Sequence, residues 1–387
     1  MIIDADTHIT PKDAYDYIDG PLDALRPRFR FNDKGFVSAV DFPGRPAQLP
    51  GATPSKAPGT GSTYPGMVDL DARLEAYVQL GIEKQVLFPQ YSAMRFDYLI
   101  EPELAAAMAH SYNLSIANIL KKYPEQMIGS AQVALQDVPS AIREMEWAQQ
   151  NGFRAVALDK VIPVHAHCYS EPYGQHGDRL RPFFKRAVEL GMPLLLHSNG
   201  SHGHRLTNLP YYQHDGLWLF APVEGHSSLM SFVTGGILDE FPELKIVFTE
   251  AGTAFLKPLL ERFDASFDHP LTDYDSEEAA TRSWRTGKPA TKALVPMEQF
   301  SAKNKHPASH YFRKNIFFTI ETEEEGFAEA VQYLGASQFL FATDYPHDDA
   351  GGRMKMKDVD LLKQNASISE EDKEIIRWRS SAALFGT

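Results

Sequence analysis

Eight short apolar runs are spread along the chain, and each is followed by a helical pattern. Together with acidic residues or histidines at the ends of four of the runs, they predict a distorted (β/α)8 (TIM) barrel with loop insertions. The runs do not alternate polar with apolar residues, as expected of parallel strands covered on both faces. An open, doubly wound sheet is the competing arrangement, but no Gly-x-Gly-x-x-Gly follows the first run. The whole of 1–387 is read as one barrel domain, with insertions at 31–66 and 271–312.

The first strand opens the chain and ends in Asp6-Thr7-His8. Residues two apart on a strand share a face, so Asp6 and His8 are delivered together. Residues 41–66 are rich in Pro, Gly, Ser and Thr and read as a long loop, either a lid or a surface excursion. A helix follows over 69–80, with Leu70, Leu74, Tyr77 and Val78 on its apolar face and Gly81 ending it. Strands are expected at 85–89, 127–131, 153–158, 193–197, 244–250, 315–320 and 338–344. Helices are expected at 102–122, 138–150, 179–190, 228–241, 255–267, 324–334 and 359–384. Residues 271–312 are polar and loop-like, and interrupt the alternation.

Composition narrows the function. Lys plus Arg number 38 and Asp plus Glu 51, a net charge of −13. That disfavours nucleic acid and anionic membranes, which call for a basic patch. The single cysteine, Cys168, permits neither an internal disulfide nor a cysteine-rich zinc site. A charged residue at position 4 and the lack of any apolar run near ~18 residues lead to the expectation of a cytoplasmic protein with a small-molecule substrate.

The active site of such a barrel lies at the C-terminal ends of its strands. The first strand ends in Asp6 and His8, the fifth in His197, the sixth in Glu250 and the eighth in Asp344, with His347 three residues on. Imidazoles and carboxylates together suit one or two divalent ions, Zn²⁺, Fe²⁺ or Mn²⁺. Bound water would then ionise near pH ~7. Asp344 is expected both to ligate and to move a proton. Glu250 is either a further ligand or a general base, and a second ion bridged by a carboxylate fits the set.

These motifs resemble the amidohydrolase superfamily, and within it the amidohydrolase-2 family that includes aminocarboxymuconate semialdehyde decarboxylase. The resemblance is carried by Ile3-Asp4-Ala5-Asp6-Thr7-His8, by Gly191 through His197, by Gly236 through Phe248, and by Phe339 through His347. It implies a distorted barrel with a divalent metal, zinc first, held by Asp6, His8, His197 and Asp344. A homodimer is expected from the resemblance alone. Two departures stand out. Many relatives begin His-x-His where this chain has Asp6-Thr7-His8. The decarboxylases usually carry His-Gly where it has Thr249-Glu250-Ala251-Gly252. A carboxylate there would repel a substrate carboxylate and suits water activation. The first expectation is therefore a metal-dependent hydrolase of an amide, ester, thioester or lactone with an apolar or aromatic body. The alternative is a metal-dependent decarboxylase or hydratase of an aromatic-derived acid.

Further candidates surround the strand ends. His167, His202, His204 and His347 are expected to contact substrate, and Arg95 could clamp a substrate carboxylate or be a surface charge. His226 lines the pocket or caps a helix.

Overall fold

The computed structural model describes residues 1–33, 37–43, 65–90, 101–160, 162–165, 169–171, 173–197, 215–268, 302–320, 322–347 and 357–387. Eight parallel strands form one sheet in the order β1 (Ile3–Ile9), β4 (Lys84–Pro89), β5 (Met127–Gln132), β6 (Ala155–Asp159), β9 (Leu194–His197), β10 (Ile246–Phe248), β11 (Ile316–Ile320) and β12 (Phe339–Phe341). Every strand neighbours the next, as in a (β/α)8 barrel. The ring is drawn together by a parallel bridge between Thr7 and Tyr345 and by the His8 amide, which donates to the Tyr345 carbonyl at 2.6 Å.

Helices alternate with the strands: α1 (Leu70–Leu80), α2 (Pro102–Lys122), α3 (Val138–Gln150), α4 (Gly177–Leu190), α5 (Asp215–Thr234), α6 (Ile237–Glu240), α7 (Leu256–Asp268), α8 (Ala308–Phe312) and α9 (Phe327–Leu334). Their ends follow local chemistry. The Asp69 carboxylate accepts from the amides of Asp71 and Ala72, and Gly81 closes α1 in the left-handed conformation. The large core lies between strands and helices. A smaller cluster fills the barrel with Ile3, Ala5, Val86, Phe88, Ile128, Ala155, Ala157, Leu195, Val247 and Leu340. Among the described residues no helix is long and apolar enough to cross a membrane.

The first strand is irregular, and the irregularity positions the site. Its pairing with β4 shifts register between Asp4 and Thr7. Such a bulge re-aims the residues it separates. Asp4 reaches outward, where it accepts from the Thr343 amide at 3.0 Å, the Thr343 hydroxyl at 2.5 Å and the Tyr77 hydroxyl at 2.9 Å. Burial pushes its carboxyl up to about 6, and these hydrogen bonds limit the rise. Asp4 thus ties the first strand to the segment after the last.

Some expectations need correction. The expected apolar face of α1 included Val78, which is 79 % exposed, while Arg73 is fully buried. A guanidinium is tolerated there because its N–H groups are matched. It donates to the Gln85 side chain, to the carbonyls of His8 (2.6 Å) and Gly66 (3.0 Å), and to the Thr7 hydroxyl (2.6 Å). The insertion expected at 31–66 overlaps an antiparallel hairpin, β2 (Arg28–Phe31) with β3 (Val37–Asp41). A second hairpin, β7 (Ile162–His165) with β8 (Tyr169–Glu171), follows the fourth barrel strand. The expected helix at 228–241 is two helices, α5 and α6, and the last helical region is divided into Asp358–Gln364 and a stretch from Glu370 with a π turn at Ile375–Arg379.

Replacing Asp4 by Ala would leave the Thr343 and Tyr77 donors unmatched in the interior. It should cost about 3 kcal/mol or more in urea denaturation, whereas Val78→Ser should stay within about 0.5 kcal/mol.

Candidate metal centre

The site is built where β1, β9, β10 and β12 end. Beyond the bulge, Asp6 and His8 meet the other strand ends. The His8 Nδ1–H faces the Pro89 carbonyl at 3.0 Å, and a carbonyl can only accept. This fixes the tautomer and turns Nε2 toward carboxylates, 3.0 Å from Asp344 Oδ1 and 3.8 Å from Asp6 Oδ1. His197 is the last residue of β9, with its Nε2 3.8 Å from Asp6 Oδ2 and 3.6 Å from Glu250 Oε2. The two imidazoles meet edge to face, 4.8 Å between centroids.

Glu250 and Asp344 do not lie on the strands themselves. Strands β10 and β12 stop at Phe248 and Phe341, shorter than the expected 244–250 and 338–344, and both carboxylates come from the turns that follow. Their φ angles are +49° and +55°, and they are the only non-glycine residues with positive φ among those described. This backbone costs of order 1–3 kcal/mol and persists only where surrounding contacts enforce it. At Glu250 the amide donates to the Thr319 hydroxyl at 3.2 Å and the carbonyl accepts from Lys160 Nζ at 2.9 Å. At Asp344 the carbonyl accepts from the His347 amide at 2.8 Å.

His347 Nδ1–H also donates to Asp344 Oδ1 at 2.7 Å, and its ring stacks on His8 at 4.4 Å. Burial pushes the Asp344 carboxyl up, but the imidazoles of His347 and His8 outweigh it and hold the group well below the usual carboxylate range.

Two overlapping groups of donor atoms result, each with all atoms within 4.8 Å of one another: Asp6, His8 and His197, and His8, Glu250, Asp344 and His347. The donor chemistry fits a divalent cation. With Nδ1–H committed to Pro89, His8 turns Nε2 into the space it shares with Asp6 and Asp344, a mixed set of nitrogen and carboxylate donors of the kind that ligates such an ion.

Asp6, His8, His197, Glu250, Asp344 and His347 are therefore brought together. His347, expected at the substrate, bonds Asp344 instead. Arg95, His167, Cys168, His202 and His204 lie outside the described residues. His226 sits on α5 with its ring 3.5 Å from that of Phe255. Burial pushes its imidazole down to about 4, and the Lys160 charge adds to the effect. Sequence reasoning passed over Lys160 and Arg73. Each had a signal: a lysine directly after an apolar strand, and a charge on an apolar helical face.

An eight-stranded barrel with Asp, His and Glu converging on one mouth defines a class of metal-dependent enzymes. Within that class, a family model described as amidohydrolase matches residues 3–387, and the chain belongs to this family, amidohydrolase-2. It is 25 % identical over 332 residues to gamma-resorcylate decarboxylase of Rhodococcus jostii (strain RHA1), covering 81 % of this chain and 87 % of that protein. It is 26 % identical over 190 residues to 2-amino-3-carboxymuconate-6-semialdehyde decarboxylase of Dictyostelium discoideum, covering 48 % and 49 %. A dihydroxybenzoic acid decarboxylase from Polaromonas sp. JS666, solved with manganese and 2-nitroresorcinol, shares the fold at a TM-score of 0.67 and 19 % identity, with 100 % and 96 % covered.

These findings support an enzyme and overturn the expectation of a hydrolase, since both curated relatives are decarboxylases. The physical reason is that Glu250 does not reveal its protonation state by its residue type. The same side chain can take a proton from water or hand one to carbon.

Two outcomes follow. His8→Ala and His197→Ala should each reduce bound divalent metal to background by elemental analysis after dialysis, with the far-UV spectrum retained. His226 is depressed in the folded state from its ordinary 6.5, so the unfolded chain binds its proton first as pH falls. Its contribution to stability is intact above pH 6.5 and is lost as pH falls toward 4. Urea midpoints of the unsubstituted protein should therefore drop more between pH 7 and pH 5 than those of His226→Phe.

Proposed function

We propose that this protein is a metal-dependent decarboxylase of a hydroxylated aromatic or aromatic-derived carboxylic acid. The observation that carries the reading is the match to gamma-resorcylate decarboxylase across 87 % of that protein. The convergence of the candidate donors on one mouth supports it. Asp6, His8, His197 and Asp344 are the residues that would hold the ion, with Glu250 as a further donor while no substrate is bound. Zinc and manganese both suit them, and we put manganese first because, with Glu250 counted, three carboxylates stand against two imidazoles. When bound, the ion supplies a Lewis acid that orients the substrate oxygens and offsets their charge.

The remaining work falls to the chain. Decarboxylation requires a proton at the ring carbon that bears the carboxylate. Glu250 in its protonated form is placed to deliver it, since its Oε2 lies 3.6 Å from His197 Nε2 and its side chain is partly open to the mouth. Two like charges in one site are relieved when one of them takes up a proton. A substrate carboxylate therefore favours the acid form that the reaction needs. As the proton reaches the carbon, the bond to the carboxyl carbon breaks, its electrons return to the ring, and carbon dioxide leaves. Glu250 is then reprotonated from water. Asp344, kept anionic and oriented by His347, would remain a ligand throughout.

The test is carbon dioxide release from 2,6-dihydroxybenzoate and related ortho-hydroxy acids, run in D2O. The product should carry one deuterium at the carbon that lost its carboxylate. Glu250→Gln should lower kcat by about 10²–10⁴-fold. A panel of hydroxybenzoates and carboxymuconate-type acids releasing no carbon dioxide from the manganese-loaded protein would reject the reading.

A further inference from the structure

We propose that Lys160 is a positioning residue that sets Glu250 in place at the metal mouth. The inference rests on the metal-site reading above but not on the identity of the reaction. Lys160 follows the end of β6 and is fully buried. Its backbone amide donates to the His197 carbonyl at 3.1 Å, and its carbonyl accepts from the Ser228 hydroxyl on α5. Its Nζ donates to the Glu250 carbonyl at 2.9 Å. One residue thus touches the two chain segments whose side chains, His197 and Glu250, face each other at 3.6 Å.

The backbone explains why a lysine is used there. A glutamate at φ +49° needs its flanking peptides held from both sides. The Thr319 hydroxyl secures the amide of Glu250 and the Lys160 ammonium secures its carbonyl. With the ammonium removed, the turn relaxes toward ordinary backbone and the carboxylate swings away from His197. A charge-assisted hydrogen bond is well suited to this, being stronger than a neutral one.

Coulomb's law and positioning predict opposite signs, which makes the experiment decisive. Removing a cation near the site should by charge alone tighten the binding of Mn²⁺. Loss of positioning should weaken it, by about 10-fold or more, as for groups that orient ligands elsewhere. The measurement is a titration of the full-length apoprotein with Mn²⁺ alone, followed by the electron paramagnetic resonance of the free ion. The proteins compared are the unsubstituted chain, Lys160→Met, Glu250→Ala and the double variant. Lys160→Met should weaken binding in the unsubstituted background and no longer do so once Glu250 is Ala.

Should Lys160→Met fail to fold, Thr319→Val removes the other hold on the same turn without touching the lysine. It should weaken binding in the same Glu250-dependent way. Unchanged or tighter binding in folded Lys160→Met overturns the proposal, as does an equal further loss in the Glu250→Ala background. In a Lys160→Met that does not fold, a Thr319→Val without Glu250-dependent loss does the same. Failure of the unsubstituted protein to bind Mn²⁺ would instead reject the metal site itself, and the proposal with it.

Discussion

The contact between Asp4 and Thr343 joins residues 339 apart in sequence and closes the barrel. The site depends on that closure. Asp6 and His8 come from the first eight residues, at and just beyond the bulge, and Asp344 comes from near the other end of the chain. Until the first strand meets the last, these groups share no surroundings. Buried hydrogen bonds to a carboxylate are among the stronger local contacts, and leaving their donors unmatched is costly. In this clamp, Asp4 lies two residues before Asp6 and Thr343 one residue before Asp344, so closing the ring and assembling the mouth are one event. Tyr77 reaches the clamp from α1 and Arg73 reaches His8 and Thr7 from the same helix. A single helix thereby braces both the closure and the site.

The mouth concentrates negative charge from Asp6, Asp344 and Glu250 around two imidazoles whose orientation is set by their surroundings. Two of these carboxylates lie on left-handed backbone, an expense the fold makes nowhere else on non-glycine residues among those described. Strain of this kind gathers where geometry matters more than local stability. It lets side chains from the ends of neighbouring elements turn across the mouth instead of continuing along the strand direction.

Much of the architecture was legible in sequence because buried parallel strands are short apolar runs, and their helices carry clear stops. Val138–Gln150 and Pro102–Lys122 match the expected spans residue for residue. The strand-end residues Asp6, His8, His197, Glu250 and Asp344 were legible because barrel topology puts strand ends together. What was hidden depends on contacts distant in sequence. The β1 bulge leaves no mark, since each residue in Ile3–Ile9 suits a regular strand. Left-handed backbone is advertised by Gly or Asn, not by Glu or Asp. Arg73 breaks the apolar face of its helix in sequence, and only its acceptors on other segments explain its burial. Helix α5 begins at Asp215, well before the expected 228, because Pro222 and Gly225 resemble breaks in isolation. The misjudged reaction had a similar origin. Residue type at position 250 is compatible with taking a proton or giving one, so it could not decide between hydrolysis and decarboxylation.

Arg73 has a consequence that reaches past its hydrogen bonds. Its acceptors are an amide side chain, two carbonyls and a hydroxyl, all neutral, so its formal charge is not cancelled by the groups it bonds. In a low-dielectric interior that charge projects a positive potential through the end of β1 toward the mouth. With the Lys160 ammonium held against the Glu250 carbonyl, a divalent ion would bring the positive charges to four, one more than the three mouth carboxylates carry. Under the proposed reaction, the carboxylate of an aromatic acid would supply the charge that balances this excess. The chain can thus carry a net charge of −13 while the interior behind the mouth holds two buried cations, Arg73 and Lys160.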